Sequence, residues 1–115
     1  HGAYTGSKSY GLCEGETIDV LSFPQTVAHG SFMIFLDFAY GSPPEYGNAI
    51  VYSFTFNSYP GGNLNMISES TSGVGSVRLS WDSATNKIKA TKGGNGACVA
   101  FNLMLTGIGS SWAWE

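Results

Sequence analysis

Few side chains in this 115-residue sequence are spaced to do chemistry. Glu14 and Glu16 lie two apart and share one face of an extended segment. Paired carboxylates serve glycoside hydrolysis, but this pair, in a Gly- and Ser-rich leading segment, reads as solvated. Asp37 is the more telling acid, because it interrupts the apolar run S-F-M-I-F-L-D-F-A-Y at 31–40. A carboxylate in such surroundings must be hydrogen-bonded, paired or protonated. Its expected role is a satisfied core or interface group, with a catalytic or ligand-gripping acid as the alternative. His29, in A-H-G, reads as a turn histidine, and no G-x-S-x-G elbow accompanies it. Asp82–Asn86 gathers oxygen ligands but has the composition of a hairpin turn. The glycine runs at 61–62 and 93–96 precede no helix whose N-terminus would cradle a phosphate. The expectation is a chain without a catalytic constellation and without a cofactor.

The first residue is His1. A free amino-terminal histidine can hold copper through its amino and imidazole nitrogens, and His29 would supply a second imidazole. Copper oxygenases and periplasmic copper carriers use such a clamp on β-sandwiches, but the carriers' D-x-H motif is absent here. Copper is therefore a minor alternative, and no metal site is assigned. No cysteine and histidine spacing suggests zinc.

Aromatic residues offer the better recognition chemistry. Tyr40, Tyr46, Tyr59, Trp112 and Trp114 fall in loops and tail, with Tyr4 and Tyr10 in the leading segment. Tyrosine and tryptophan present a flat apolar face and a polar edge, which suits sugar rings and protein hot spots. The first five are the candidate ligand-binding residues; packing onto the ends of the domain is the competing role. Trp112 and Trp114 alternate around Ala113, so in an extended tail both rings face one way. Such a pair has to dock on its own domain or on a neighbour.

The elements that must position these groups are strands. Thr17–Phe23 places Ile18 and Val20 on one face and Leu21 and Phe23 on the other, and Pro24 ends it. Segment 49–57 alternates cleanly, 64–70 is a short, weaker strand, and 76–81 returns as 87–91 through a hairpin. Segments 31–40 and 97–106 are apolar on both faces: Phe32, Ile34, Leu36 and Phe38 share one, Met33, Phe35 and Ala39 the other. With seven or eight strands and no helical period, the pattern predicts an all-β fold, an antiparallel two-sheet sandwich of jelly-roll or Ig-like connection. A strand with one wet face alternates apolar and polar residues. These two do not, so a second copy of the chain is expected over Met33, Phe35, Asp37, Ala100 and Met104.

Composition agrees. Charged residues make up 11%, against an ordinary share of about 25%. A net charge of −3 argues against nonspecific nucleic-acid binding. Arg78, Lys87, Lys89 and Lys92 bunch on the hairpin, as a solvated face or an anion or polysaccharide contact. The length suits a single domain, 1–115, with a leading segment 1–15 that is a loose entry or an edge strand, and a tail 107–115. No signal peptide, 18-residue apolar run or N-x-S/T site is present, so neither a membrane span nor a glycosylated secretory protein is expected. Cys13 and Cys98 lie near opposite ends. A bridge between them and a buried, unpaired Cys98 are both open.

S-F-M-I-F-L-D-F-A-Y, S-V-R-L-S-W-D-S-A-T-N-K-I-K-A-T and A-C-V-A-F-N-L-M-L-T-G, with few charges and Gly/Ser/Asn turns, resemble the trimeric receptor-binding tips of phage tail fibres and tailspikes. The resemblance implies a homotrimer on the virion or extracellular surface, recognition of a bacterial surface glycan or protein, and no chemistry in this module. It also implies free cysteines, since such fibres assemble in a reducing cytoplasm. A monomeric carbohydrate-binding module or lectin is the alternative.

Overall fold

The computed structural model describes residues 2–23, 29–40, 46–57, 61–72, 76–94, 98–109 and 112–115. Among the described residues nine strands follow in chain order: β1 (Gly2–Leu12), β2 (Thr17–Ser22), β3 (His29–Tyr40), β4 (Tyr46–Asn57), β5 (Gly61–Ser72), β6 (Val77–Asp82), β7 (Lys87–Lys92), β8 (Val99–Gly109) and β9 (Ala113–Trp114). They form two antiparallel sheets, ordered β1-β8-β3-β4-β5 and β6-β7-β2-β9. The sandwich read from the sequence is therefore the fold, with five strands over four. The 31–40 run is the middle strand of the larger sheet.

Alternation builds the core. Phe32, Ile34, Leu36 and Phe38 of β3 meet Ile50, Tyr52, Phe54 and Phe56 of β4 and Val99, Phe101, Leu103 and Leu105 of β8 on one buried face. Val77, Leu79, Ile88 and Ala90 close it from the smaller sheet. Strand β2 departs from simple alternation. A bulge between Asp19 and Leu21 lets Val20 and Leu21 both enter the core, where the sequence pattern placed them on opposite faces. Of the two readings of the leading segment, a loose entry or an edge strand, the edge strand holds, as β1. The strand expected over 64–70 needs correction: β5 runs for 12 residues, with an irregularity opposite Val51 and Tyr52.

The cysteines are bridged, which overturns the free thiols implied by the resemblance. The reason is register. Leu12 pairs with Val99 at the end of the β1–β8 ladder, so Cys13 and Cys98 are the next residues facing each other.

Both open sides of the sandwich are shut by a tryptophan lying on a glycine. The Trp81 ring rests against Gly62 of β5, and the Trp112 ring against Gly6 of β1. A Cβ at Gly62 would sit 2.6 Å from the Trp81 ring, and one at Gly6 2.7 Å from the Trp112 ring. The free edge of β6 is covered as well, because the Val77 N–H donates to Asn48 Oδ1 and the Leu79 N–H to the Tyr52 hydroxyl. Gly62→Val is expected to cost roughly 1–3 kcal/mol through overpacking. Chemical denaturation checks this, with Gly11→Ala, which meets nothing within 4 Å, as the neutral control. An unchanged midpoint for Gly62→Val would show that the indole yields.

Candidate recognition face

The two outer faces of the sandwich differ in charge. On the smaller sheet, the side chains left out of the core by β2, β6 and β7 include Asp19, Arg78, Asp82, Lys87 and Lys89. Lys89 Nζ lies 2.7 Å from Asp19 and 3.7 Å from Asp82; Lys87 Nζ lies 3.3 Å from Asp19 and 2.7 Å from Glu115. Arg78 pairs with Glu69. Lys92 points the other way, buried, with its ammonium donating to the Gly93 carbonyl. The basic cluster is thus largely neutralised within the chain, and one of its members is not on a solvated face.

Hydrogen bonds from Lys89, followed by those from Lys87, hold the Asp19 carboxyl below its usual range. A depressed carboxylate contributes stability that is present above its unfolded pKa of about 4 and is lost as pH falls through the folded value. The melting temperature should therefore drop below about pH 4, with a smaller drop in Asp19→Asn; identical acid profiles would remove Asp19 as a cause. Burial, reinforced by Glu115, pushes the Tyr10 hydroxyl up to about 12. It donates to Val20 O at 2.8 Å, tying β1 across to β2.

The outer face of the larger sheet is built by the register as rows. Ser7, Met104, Phe35, Val51 and Ser68 lie side by side across five strands. Thr5, Thr106, Met33 and Ser53 form the next row, and Ala3, Ile108, Ser31, Thr55 and Asn63 the one beyond. On the other side lie Ser9, Asn102, Asp37, Ala49 and Ser70. Among the described residues on this face, Asp37 alone is charged. Its apolar centre is open: Met33 and Phe35 are half-buried, and Met104 and Ile108 are 39% and 62% exposed. A depression of about 510 Å³ lies over Phe35, Asp37, Val51, Asn102 and Met104.

The five residues expected at an oligomer contact thus gather here, with Ala100 at the Asn102 end. Asp37 is exposed in the single chain, not a core acid, and accepts a hydrogen bond from Asn102 Nδ2 at 3.3 Å. Val51 and Ile108 belong to the same face and were missed; only the pairing of β8 and β4 with β3 reveals them.

The aromatic candidates do not converge. Trp112 and Trp114 lie edge to face, 5.1 Å apart, half-buried on β1 and packed against the core. Trp112 also meets Tyr4 at 6.3 Å. Tyr40 and Tyr46 pair across the far end of β3 and β4, and their side chains, like Tyr59, lie outside the described residues. So does His1. His29 begins β3 instead of lying in a turn, exposed. Among the described residues no three His, Cys, Asp or Glu side chains are grouped to hold a metal. Asp82 forms the expected hairpin turn, accepting from the Ala84 N–H and the Thr85 hydroxyl.

No family model matches the sequence, and no curated protein matches it. The fold is shared with solved structures, of which two are described. One is the tailspike protein of Acinetobacter phage vB_ApiP_P1, with a TM-score of 0.60 and 15% identity over 95% of this chain. The other is the tailspike protein of Acinetobacter baumannii phage AM24, with a TM-score of 0.53 and 10% identity, again over 95%. The chain spans 22% of the first tailspike and 27% of the second.

Proposed function

We propose that this chain is a non-catalytic recognition module, acting as a homotrimer at the host-contacting part of a viral or phage fibre, where it binds a bacterial surface glycan or protein. The observation that carries the reading is the contrast between the two outer faces. Charge is depleted at the centres of protein interfaces and retained on solvated surfaces. Here the smaller sheet holds the ion pairs, and the larger sheet exposes methionine, phenylalanine, valine and isoleucine ringed by serine, threonine and asparagine. A second copy over Met33, Phe35, Val51 and Met104 would cover this centre. The likeness to tailspike structures supports the setting.

A monomeric carbohydrate-binding module or lectin uses the same sandwich, with Tyr40, Tyr46, Tyr59, Trp112 and Trp114 as its sugar contacts. Solution mass by light scattering, before and after dilution, separates the two readings: a stable trimer supports the first, a clean monomer the second. The tryptophan pair is tested by its double alanine variant, followed by melting temperature and glycan-array signal together. Lost array signal at an unchanged melting temperature assigns the pair to recognition. A lowered melting temperature with signal retained assigns it to packing.

A further inference from the structure

Among the described residues, four large apolar side chains are exposed: Met66, Ile67, Met104 and Ile108. Met104 and Ile108 stand on the outer face of the larger sheet, beside Phe35 and Ser31. Met66 and Ile67 stand elsewhere, on β5, which pairs with β4 alone and forms one edge of that sheet. The two edges are finished differently. At β1 the Trp112 ring rests on Gly6, and Lys8 Nζ donates to the Glu115 carbonyl at 2.7 Å. Strand β5 carries neither lysine nor proline, the usual guards of a free edge. Its guard is a bulge. Val51 pairs with Ser68 and Tyr52 with Met66, so Ile67 is the extra residue, without a partner on β4. The bulge breaks the ladder that a further strand would need and leaves Ile67 55% exposed at the edge.

We infer that Ile67, flanked by Met66, is the knob that one copy of the chain inserts into the depression on the outer face of the next copy, closing a ring of three head to tail. The inference deepens the trimer reading and rests on it. In a threefold ring no two-fold axis relates neighbours, so the surface a copy gives differs from the one it receives. The receiving surface is the apolar centre, with its depression of about 510 Å³ over Phe35, Val51 and Met104. That volume lies within the range that encloses a whole small ligand, ample for an isoleucine side chain. Ser68 and Ser70 of β5 line the depression in their own copy, whereas Ile67 lies outside it. The chain therefore does not fill its own depression with its own knob; a second copy can. Met66 and Ile67 are also the large apolar groups exposed off the outer face among the described residues, which makes the β5 edge the patch that matches it. The charge nearest the knob, Glu69, is already paired with Arg78, so the knob carries no lone charge into the contact. Asp37, one row from Phe35, already accepts from Asn102.

The test has two stages. Light scattering on the whole chain should show Ile67→Glu dissociating at concentrations where the wild type is a trimer, with association weakened at least a hundredfold. Ile67→Ala should weaken it about tenfold. The second stage reads the direction of the contact. Chains carrying Ile67→Cys and chains carrying Met104→Cys, distinguished by isotope label, are treated with a short bismaleimide, which leaves the Cys13–Cys98 bridge intact. Mixed, they should link as pairs of unlike chains; alone, neither should link. A chain with both substitutions should give products that end at three. An unchanged trimer in Ile67→Glu, Met104→Cys chains linking to one another, or products running past three would each overturn the inference. A wild-type monomer removes the trimer reading and this contact with it. A wild-type trimer that Ile67→Glu leaves intact removes the contact alone.

Discussion

Phe35→Glu is expected to dissociate the proposed assembly and leave the sandwich folded. Phe35 lies at the centre of the uncharged face, between Met104 and Val51 in one row, and contributes nothing to the buried side of β3. A glutamate there would be enclosed by methionine and valine with no described cation on the face to pair with. An unpaired buried charge costs about 3–5 kcal/mol, which weakens association by roughly a hundred- to a several-thousandfold. The isolated variant should melt close to the wild-type monomer, because its carboxylate is then solvated. Light scattering and circular dichroism on one sample read both effects. An assembly of unchanged mass would place the contact elsewhere; loss of secondary structure at all concentrations would make Phe35 a core residue instead.

The second large effect concerns the bridge. Cys13 and Cys98 are 85 residues apart, and closing a loop of that length removes unfolded-state entropy worth roughly 4.5 kcal/mol. For a domain of this size the loss is about 15–20 °C of melting temperature. Cys13→Ser with Cys98→Ser should show that drop, and added reductant should reproduce it in the wild type but leave the double variant unmoved. Equal melting temperatures with and without reductant would mean that the thiols are free in solution.

Much of the fold is legible in the sequence because alternation is a local signal. Ile50, Tyr52, Phe54 and Phe56 announce β4, and Val77 and Leu79 announce β6, without knowledge of their partners. Features that depend on pairing are not legible in this way. Val20 and Leu21 look opposed until the bulge turns both inward. The leading segment has no apolar period, because an edge strand whose inner face is shared among Tyr4, Gly6, Lys8 and Tyr10 needs none. The bridge is invisible until β1 is laid on β8. Likewise, the doubly apolar strands mark the candidate face, but its rows, such as Ser7, Met104, Phe35, Val51 and Ser68, exist only across strands that are distant in sequence.

The position of the bridge also governs how the domain bears tension. Gly2 and Gly109 face each other at one end of the β1–β8 ladder, and the cystine closes the other end. A pull transmitted through the chain on either side would peel this pair apart one hydrogen bond at a time, like a zip, and stop at the sulfur link. The residues between the two cysteines, roughly 300 Å of chain if drawn straight, would bear none of the load. Stretching in an optical trap should therefore yield a short, soft extension followed by a hard stop. The long release appears only after reduction, so the bridge acts as a strain limiter for a domain under tension.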